Sequence, residues 1–324
     1  MKAAMVRRYG PPSVVTIGDA PTPTPASDEV LVRVHCSTVS RTDCGERAPY
    51  PPGLGRLMYG LARPRRAIFG VDFAGVVEAT GRGVTLFKAG DRVFGICPIR
   101  RSGAHAEFCC IPERGPIALL PASVAFERAV VCEGAYYADA SLKRLDLKLG
   151  CKLLIYGASG AIGSSAVQLA KLYGANVTAV VGAQHLALAE SLGADRVIDY
   201  LKEDFSTLDE KFDGAFDAVG KTTFYKCRKV LKPDGAFMAA DMGPGGQNIY
   251  LLLWSLITGN RRVRLPVSPS GGAAGFVQSM RGWLERGEFR AVIDRAYPLD
   301  QIVEAYSYVE TGQKTGIVVV NVGG

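Results

Sequence analysis

The stretch LIYGASGAIGSSAVQLAKLYGANVTAVVGAQH, residues 154–185, decides the fold. A short apolar run precedes its glycines, and a helical pattern with apolar residues on one face follows them. Gly157 allows a tight turn, Gly160 lets the backbone approach a pyrophosphate, and Gly163 lets the helix pack closely on the strand. The first helical turn then offers free N–H groups to phosphate oxygens. The residues predicted to contact a dinucleotide here are Gly157, Ser159, Gly160, Ala161, Ile162 and Gly163.

Residues 122–267 continue the same alternation of strand and helix. Short apolar runs such as ANVTAVV, DRVIDY and GAFDAVG are separated by helical patterns and by short connections that contain glycine. Parallel strands need such crossover helices, so the pattern is typical of a doubly wound parallel sheet. We predict one dinucleotide-binding α/β domain over this range.

The flanking segments have a different texture. Residues 1–121 contain alternating apolar runs closed by glycine or proline, such as EVLVRVHCSTVS and AGDRVFGI, which predict a mostly antiparallel β unit. Residues 268–324 contain two helical patterns and a final strand, GIVVVNV. We predict that this strand returns to the first β unit, so that 1–121 and 268–324 form one mainly β domain.

The end of the strand NVTAVV indicates which dinucleotide is bound. An NAD-specific site places Asp or Glu there, about 20 residues after the glycines, to bind the ribose diol. Here the strand is followed by GAQH and carries no acid. Because a carboxylate would repel a 2′-phosphate, its absence predicts NADPH, with Gln184, His185 and Tyr200 as the residues in reach.

Composition and charge exclude several other classes of protein. The chain is 48% hydrophobic, and its formal net charge of +7 is spread over small basic clusters. Nucleic-acid binding requires a concentrated basic face or a recognisable module, and neither is found. The longest apolar run, NIYLLLWSLITG, is shorter than the ~20 residues of a membrane span, and no secretory signal is visible, which favours the cytoplasm. The eight cysteines form no C-x-x-C pair and are expected to be reduced.

The motifs GVDFAGVVEATG, AGDRVFG, GASGAIGSSAVQLAKLYGANV and SLGADRVIDYLKEDF together resemble those of the medium-chain dehydrogenase/reductase superfamily, in its zinc-free quinone oxidoreductase-like branch. The resemblance extends from the N-terminus to GQKTGIVVV. It implies a GroES-like catalytic domain built from both chain ends, a central Rossmann domain, an active site in the cleft between them, and a homodimer formed through the edge strands of the Rossmann domain.

The resemblance also implies that no catalytic zinc is bound. Zinc enzymes of the superfamily place Cys at the position of Ser40, a His-Glu pair at Val71 and Asp72, and a further Cys at Cys132. A catalytic zinc needs three protein ligands and an open position. Only Cys132 is retained here, with Asp72 as an oxygen ligand, and we predict no metal site.

Four residues are candidates for catalysis on the same resemblance. Tyr50 matches a tyrosine that the branch places near the substrate, where it would donate to a carbonyl. Ser40 stands where the branch often has Asn and is predicted to bind substrate or ribose. Asp43, in the same motif, is either a catalytic residue or a structural cap or turn residue. Tyr136 stands where relatives have Thr near the nicotinamide, and it is predicted either to donate a proton or to narrow the pocket.

The loops that frame the nicotinamide in this branch correspond here to two groups of small residues. They are Ala218, Val219 and Gly220 in DAVG, and Met242 and Gly243 in MGPGG. Small residues allow a flat ring to approach the backbone closely. The lysine of the branch's C-terminal Gly-Lys-Val motif is replaced by Ile317, with Lys314 nearby.

The apolar IYLLLWSLIT and the basic RRVR that follows it, within residues 249–264, leave two interpretations open. As a lid or oligomer contact, the segment favours a hydrophobic small-molecule substrate. As an interfacial helix, it would make a weak contact with an anionic membrane surface.

These features predict a zinc-independent, NADPH-dependent reductase. Without a zinc Lewis acid, alcohol oxidation loses its driving group, whereas hydride can still be delivered to an acceptor that is already electron-poor. Quinones and the C=C bond of α,β-unsaturated carbonyls are such acceptors, and hydrogen-bond donors and a proton donor complete the reduction. The alternatives are an enoyl-thioester or natural-product double-bond reductase, and a non-catalytic NADPH-binding protein.

Overall fold

The computed structural model describes residues 1–49, 52–98, 103–241, 246–258, 262–264 and 272–323. The chain divides into two compact units, one of Met1–Glu133 with Gly271–Gly324 and one of Gly134–Ser270. Each unit is described by itself.

The division after Glu133 lies beyond the predicted boundary at Pro121, and the physical reason lies in the first unit. The Arg92 guanidinium donates to the carbonyls of Pro121, Ala122 and Val124, which ties the connecting segment to the β unit. The amide of Glu133 donates to the carboxylate of Asp72 within the same unit. A change in the pattern of apolar residues along the sequence does not reveal such contacts.

The first unit is built on a β sheet with helices at its margins. Its strands are β1 (Lys2–Val6), β2 (Val15–Asp19), β3 (Glu29–Val39), β4 (Asp72–Thr80), β5 (Arg92–Ile96), β6 (Phe108–Pro112), β7 (Ile117–Leu119), β14 (Ile293–Pro298) and β15 (Ile317–Asn321). Its helices are α1 (Arg41–Arg47), α2 (Pro52–Tyr59), α3 (Phe126–Ala129), α9 (Ala273–Glu285) and α10 (Ile302–Glu310), and α4 (Cys132–Arg144) begins in it.

Strand β3 is the centre of this sheet. Among the described residues the order is β14-β15-β3-β4-β5-β7, and β6 also pairs with β3, while β1 and β2 form a separate ribbon. All the pairs are antiparallel except β14 with β15. Val318 and Asn321 of β15 lie opposite Val39 and Cys36, which confirms that the last strand returns to the first β unit.

Strand β3 is buried along almost its whole length. Val30, Val32 and Val34 are fully buried and belong to one apolar cluster, whereas Arg33 between them is exposed. The end of the strand, at Val39, packs instead in a second cluster beneath α10. Because β-branched residues fill a pleated surface well, this sequence forms a central strand.

The second unit is the predicted doubly wound domain. Its strands are β8 (Lys152–Tyr156), β9 (Asn176–Val181), β10 (Arg196–Asp199), β11 (Phe212–Asp217), β12 (Leu231–Ala239) and β13 (Val263–Arg264). Its helices are α5 (Ala161–Leu172), α6 (Leu186–Ser191), α7 (Phe224–Cys227) and α8 (Gln247–Thr258), with the larger part of α4.

The sheet of this unit is parallel throughout, in the order β10-β9-β8-β11-β12-β13 among the described residues. The chain therefore moves outward in one direction from β8 to β10 and in the other from β11 to β13. Ligands bind in such sheets at the carboxyl ends of the strands, where the order reverses. That reversal lies between β8 and β11, which makes the residues after Tyr156 and Asp217 the place to examine.

Candidate active site

The turn after β8 is held open for a ligand by glycine. Gly157 has φ +77°, a backbone conformation that side chains with a Cβ rarely adopt. A Cβ added there would lie 2.5 Å from a methyl carbon of Val219, so the position also lacks space for one. Val219 follows β11, and the two loops at the reversal of the sheet are therefore in contact.

Gly160 and Gly163 have different physical roles. A Cβ at Gly163 would lie 2.1 Å from the carbonyl oxygen of Gly157, so only glycine lets α5 approach the turn this closely. A Cβ at Gly160 would meet nothing nearer than 3.9 Å, so this position faces open space beside the turn. Gly163 is needed by the packing, whereas Gly160 leaves room.

The first turn of α5 provides hydrogen-bond donors beside that space. The amide of Ser164 donates to the carbonyl of Gly160, which leaves the amides of Ala161, Ile162 and Gly163 without an acceptor inside the helix. The positive end of the helix dipole adds to their attraction for an anion. The predicted pyrophosphate contacts thus come together in one turn, with Ser159 half-buried in it.

The ends of β9 and β10 carry three more of the predicted cofactor residues, Gln184, His185 and Tyr200. The amide of Tyr200 donates to the carbonyl of Val181, the last residue of β9, and the Tyr200 ring lies 6.4 Å from that of Tyr156. Gln184 is exposed and His185 is half-buried in the turn that follows β9. No carboxylate is present at Gly182 or in the next three residues, the position at which an NAD-specific site needs one.

Asp217 fixes the loop that carries Ala218, Val219 and Gly220. Its carboxylate is fully buried and accepts from the amides of Val219 at 3.1 Å, Gly220 at 2.9 Å and Thr222 at 2.9 Å. Burial raises the pKa of Asp217, and these backbone donors oppose the rise. The sequence prediction named the small residues and missed this anchor, although an Asp at a strand end before a glycine is a known turn signal.

Three of the predicted site residues, Tyr50, Met242 and Gly243, lie outside the described residues. Tyr136 lies on α4 in the second unit and is half-buried. Its two predicted roles, proton donor or pocket wall, stay predictions.

Ser40 and Asp43 form the N-terminal cap of α1. The Ser40 hydroxyl accepts from the amides of Thr42 and Asp43, and an Asp43 oxygen accepts from the Ser40 amide at 2.9 Å and from the Ser40 hydroxyl at 2.9 Å. The other Asp43 oxygen accepts from the amide of Gly70 at 2.9 Å. Asp43 therefore occupies the structural cap that the sequence left open as an alternative, while Ser40 remains partly exposed.

Two further buried carboxyl groups lie beside this cap. Asp72 accepts from the amide of Glu133 at 2.8 Å and from the hydroxyl of Thr38 at 3.3 Å. The hydroxyls of Thr42 and Ser40 lower the pKa of the Glu133 carboxyl group, but their effect is smaller than that of burial. Burial, together with the neighbouring acids, raises the pKa of Glu133 to about 8 and that of Asp72 to about 7. Glu133 follows no local motif, and only its bond to Asp72, a residue distant in the sequence, reveals it.

Lys314 lies close enough to Glu133 for the charge of Glu133 to affect its pKa. Burial lowers the pKa of Lys314 to about 8, and the charge of Glu133 is the largest influence that opposes the shift. The Lys314 ammonium also donates to the carbonyl of Gly316, just before β15. The sequence placed Lys314 near the site without assigning it a role.

The donor set at the superfamily's zinc position does not fit zinc. Ser40 is used in the cap, and the Asp72 carboxylate is bonded to Glu133 and Thr38. Burial raises the pKa of the Cys132 thiol well above its ordinary value, which disfavours the thiolate that a metal requires. Throughout the described ranges, no group of three His, Cys, Asp or Glu side chains is arranged to hold a metal ion.

Comparison with known proteins agrees with this architecture. Residues 26–132 match the family model described as an alcohol dehydrogenase GroES-like domain, and residues 192–320 match the one described as a zinc-binding dehydrogenase. The chain is 31% identical to 2-methylene-furan-3-one reductase of Solanum lycopersicum, over 99% of this chain and 79% of that protein. It is 30% identical, with the same coverage, to the chloroplastic NADPH-dependent alkenal/one oxidoreductase of Arabidopsis thaliana.

A solved structure gives the same result. The quinone oxidoreductase from Coxiella burnetii superposes with a TM-score of 0.86 and 25% sequence identity, covering 100% of this chain and 99% of that one. A parallel dinucleotide-binding sheet with a GroES-like unit defines the dehydrogenase/reductase class. The chain belongs to the medium-chain dehydrogenase/reductase superfamily, in its quinone oxidoreductase-like branch. It is an oxidoreductase with a nicotinamide cofactor.

Proposed function

We propose that this protein is a zinc-independent, NADPH-dependent reductase that transfers hydride to a quinone or to the C=C bond of an α,β-unsaturated carbonyl. The observation that carries the proposal is the donor set of the first unit. At two of the positions where zinc enzymes of the superfamily present metal ligands, Ser40 and Asp72 present a hydroxyl and a carboxyl group that are hydrogen-bonded to neighbouring protein groups. Such groups polarise a carbonyl and donate or accept protons, but they do not generate an alkoxide from an alcohol.

Residues of the second unit bind the cofactor, and residues of the first unit bind the substrate. A bound nicotinamide dinucleotide supplies the hydride. The amides at the start of α5 hold the pyrophosphate, and the loop that Asp217 anchors holds its small residues against the ring. In the first unit, the partly exposed Ser40 hydroxyl exchanges its bond to Asp43 for one to the substrate carbonyl and stabilises the negative charge that develops on the carbonyl oxygen.

A hydrophobic acceptor agrees with the apolar surface of α2. Leu57 and Met58 of this helix and Leu61 just after it are 60%, 62% and 72% exposed. Apolar side chains that cluster on a surface mark a binding site more often than isolated ones do. On the same helix, Tyr59 is half-buried and lies close enough to Glu133 for its charge to influence the phenol, whose pKa burial raises.

The first experiment follows NADPH absorbance with a panel of acceptors: a naphthoquinone, an alkyl enone, an enoyl thioester and an aldehyde, each with and without a chelator. We expect oxidation of NADPH by the quinone or the enone at a rate that the chelator does not change. A preference for the enoyl thioester assigns the alternative reductase. Saturable NADPH binding without turnover on any acceptor assigns the non-catalytic alternative. Metal-dependent reduction of the aldehyde contradicts both the zinc-independent reductase and the non-catalytic alternative.

The choice of NADPH over NADH is tested at Gly182. This residue has ordinary extended backbone angles, and a Cβ there would meet only the flexible end of Gln184, at 2.9 Å. Because an added carboxylate repels the 2′-phosphate, Gly182→Asp should lower the ratio of kcat/KM for NADPH to that for NADH by about 10- to 100-fold. Gly182→Asn has the same size without the charge and should change the ratio much less. Equal effects of the two substitutions would mean that charge at this position does not select the cofactor.

We also propose that the protein is a homodimer through α8. Tyr250, Leu253, Trp254 and Ile257 of this helix are 71%, 52%, 47% and 86% exposed, and their spacing places them on one face. The arginines that follow already bond to their own unit, Arg262 to the carbonyls of Gly235 and Lys232 and Arg264 to that of Arg144. A second copy therefore suits this face better than an anionic lipid surface.

Light scattering after size exclusion tests the dimer. Ile257→Glu should convert it to a monomer, whereas Leu149→Glu, at an 87% exposed position elsewhere in the same unit, should not. Flotation of the wild-type protein with anionic vesicles, lost in Ile257→Glu, would assign the face to a membrane instead. The described residues include no helix that is long and apolar enough to cross a membrane. The cytoplasmic location stays a prediction, since one of the relatives is chloroplastic by name.

A further inference from the structure

One surface of the first unit combines exposed arginines with exposed apolar side chains. Two segments form it, residues 7–9 and 56–65. Its arginines are Arg7, Arg8, Arg56, Arg63 and Arg65, and its apolar side chains are Leu57, Met58 and Leu61, all of them exposed. We call these eight residues the basic apolar surface.

Short contacts hold the two segments together. The Tyr9 phenol donates to the carbonyl of Gly60 at 2.6 Å, and the Arg56 guanidinium lies 5.3 Å from the centroid of the Tyr9 ring. The amide of Val6 donates to the carbonyl of Ala67 at 2.7 Å. The first two arginines of the surface, which lie between Val6 and Tyr9 in the chain, are therefore fixed beside the segment that follows α2.

The segment after α2 folds back onto that helix. The Arg65 amide donates to the carbonyl of Tyr59 at 2.8 Å, and the Arg65 guanidinium donates to the carbonyl of Leu57 at 3.2 Å. Gly60 has φ +130°, and a Cβ there would lie 2.1 Å from the carbonyl oxygen of Arg63, so the turn is compact. The arginines and the apolar side chains thus belong to one compact structure.

The positive charge of this surface has no local compensation. Residues 1–18 and 47–71 contain eight Lys or Arg and no Asp or Glu. Three of the eight are paired with acids from elsewhere in the unit: Lys2 with Asp300, Arg47 with Glu310 and Arg66 with Glu46. Among the described residues, the five arginines of the basic apolar surface have no carboxylate partner.

Such a surface matches a bilayer of anionic lipids better than it matches a protein or a nucleic acid. Guanidinium groups bind phosphate with two hydrogen bonds, and Leu and Met side chains enter the acyl region beneath the headgroups, as those of interfacial helices do. Protein interfaces depend more on aromatic anchors, and single-stranded nucleic acids need aromatic platforms for their bases. None of the exposed apolar side chains here is aromatic.

We propose that the basic apolar surface docks the protein on anionic membranes, with Leu57, Met58 and Leu61 inserted among the lipids and the arginines bound to lipid phosphates. The docking itself does not depend on catalysis. Its consequence for the substrate rests on the reductase function proposed above: because α2 also carries the apolar side chains that favour a hydrophobic acceptor, that acceptor reaches the enzyme from the bilayer.

Flotation of the full chain with lipid vesicles tests the docking. The wild-type protein should float with an equimolar mixture of phosphatidylcholine and phosphatidylserine and should not float with phosphatidylcholine alone. Raising the salt from about 0.1 M to about 1 M should release most of it, since the screening length then falls to about 3 Å.

Two double variants separate the charged and apolar parts of the surface. Arg8→Gln with Arg63→Gln should weaken binding to the anionic vesicles by about 30-fold, at about fivefold per arginine. Leu57→Asn with Leu61→Asn should weaken it by at least about tenfold, because less apolar area enters the bilayer. Neither the Arg8 nor the Arg63 side chain bonds to a described residue, so the arginine variant should melt at the wild-type temperature.

The matched control is Arg82→Gln with Arg114→Gln, which removes the same charge from exposed positions in the turns after β4 and β6. It should bind within about twofold of wild type, since charges away from the contact are screened. Equal losses in the control and in the Arg8→Gln, Arg63→Gln variant overturn the proposal, as does full binding by the leucine variant. Flotation lost only in Ile257→Glu, or binding of a single-stranded oligonucleotide without binding of vesicles, also overturns it.

A quinone with a long isoprenoid tail, dissolved in the vesicles, tests the consequence for catalysis. NADPH oxidation should be at least about fivefold faster with anionic than with neutral vesicles. The Arg8→Gln, Arg63→Gln variant should lose that difference while it reduces a water-soluble naphthoquinone at the wild-type rate. Equal rates in both kinds of vesicle overturn delivery from the bilayer. Flotation without turnover on any acceptor overturns the reductase proposal and supports the docking alone.

Discussion

Gly163→Ala is expected to abolish tight cofactor binding by displacing the turn that holds the pyrophosphate. The added Cβ would lie 2.1 Å from the Gly157 carbonyl oxygen and 2.8 Å from the Ala158 Cα, and backbone atoms cannot rotate away as a side chain does. We expect a loss of about 3 kcal/mol in the free energy of unfolding, as for other overpacked sites. NADPH affinity should fall by at least about 100-fold, which corresponds to roughly 2.7 kcal/mol.

Gly160→Ala is the matched control for this substitution. Its Cβ would meet nothing nearer than 3.9 Å, so the free energy of unfolding should stay within about 0.5 kcal/mol of wild type. The methyl group nevertheless occupies the space through which the backbone approaches the pyrophosphate, so NADPH affinity should still fall, by about tenfold. Thermal melts and NADPH fluorescence titrations measure the two quantities. Equal destabilisation by both substitutions would contradict the separate roles of the two glycines.

Asp217→Ala has the second largest expected effect. It leaves the amides of Val219, Gly220 and Thr222 without their common acceptor in a buried loop. An unsatisfied buried donor costs about 1–3 kcal/mol, so we expect a loss of about 2–4 kcal/mol once the loop relaxes toward solvent. Because the same loop carries Ala218–Gly220, NADPH affinity should fall together with stability.

Asp217→Asn separates the anchor from its charge. The amide oxygen still accepts from Val219 and Gly220, whereas the NH2 group cannot accept from Thr222, so about half of the lost stability should return. The negative charge is lost, and a nicotinamide contact that depends only on loop shape should recover with the stability. An Asp217→Ala protein that melts at the wild-type temperature would show that the loop does not need the anchor.

The second unit, which is predicted to bind the cofactor, could be recognised from the sequence because the residues that define it lie close together in the chain. Gly157, Gly160 and Gly163 act within one turn, and the absence of an acid after β9 is visible in four consecutive residues. The doubly wound sheet follows from the alternation of short strands and helices, since a parallel strand cannot follow another without a crossover. The sequence also predicted that the last strand pairs with the first β unit, which the register of β15 with β3 confirms.

The grouping of the buried acids Asp43, Asp72 and Glu133 was not predictable, because they come from distant parts of the chain. Asp43 and Asp72 were noted singly, one as a candidate cap and one as a weak metal ligand. Glu133 was not noted at all, although it follows Cys132, which was. Nothing in the spacing of 43, 72 and 133 indicates that three buried carboxyl groups lie close enough to influence one another's pKa.

By itself, then, the sequence determined the α/β class, the glycine-rich turn that is predicted to hold the pyrophosphate, and the mismatch between this chain and a zinc site. Each of these depends on residue types at short spacing, which local backbone physics translates directly into structure. Only the tertiary structure decided the boundary at Glu133, the anchoring role of Asp217 and the raised pKa values of Asp72 and Glu133. Those depend on burial and on which groups meet across α1, β4 and α4, because the cost of a charge is set by its surroundings in space and not by its neighbours in the chain.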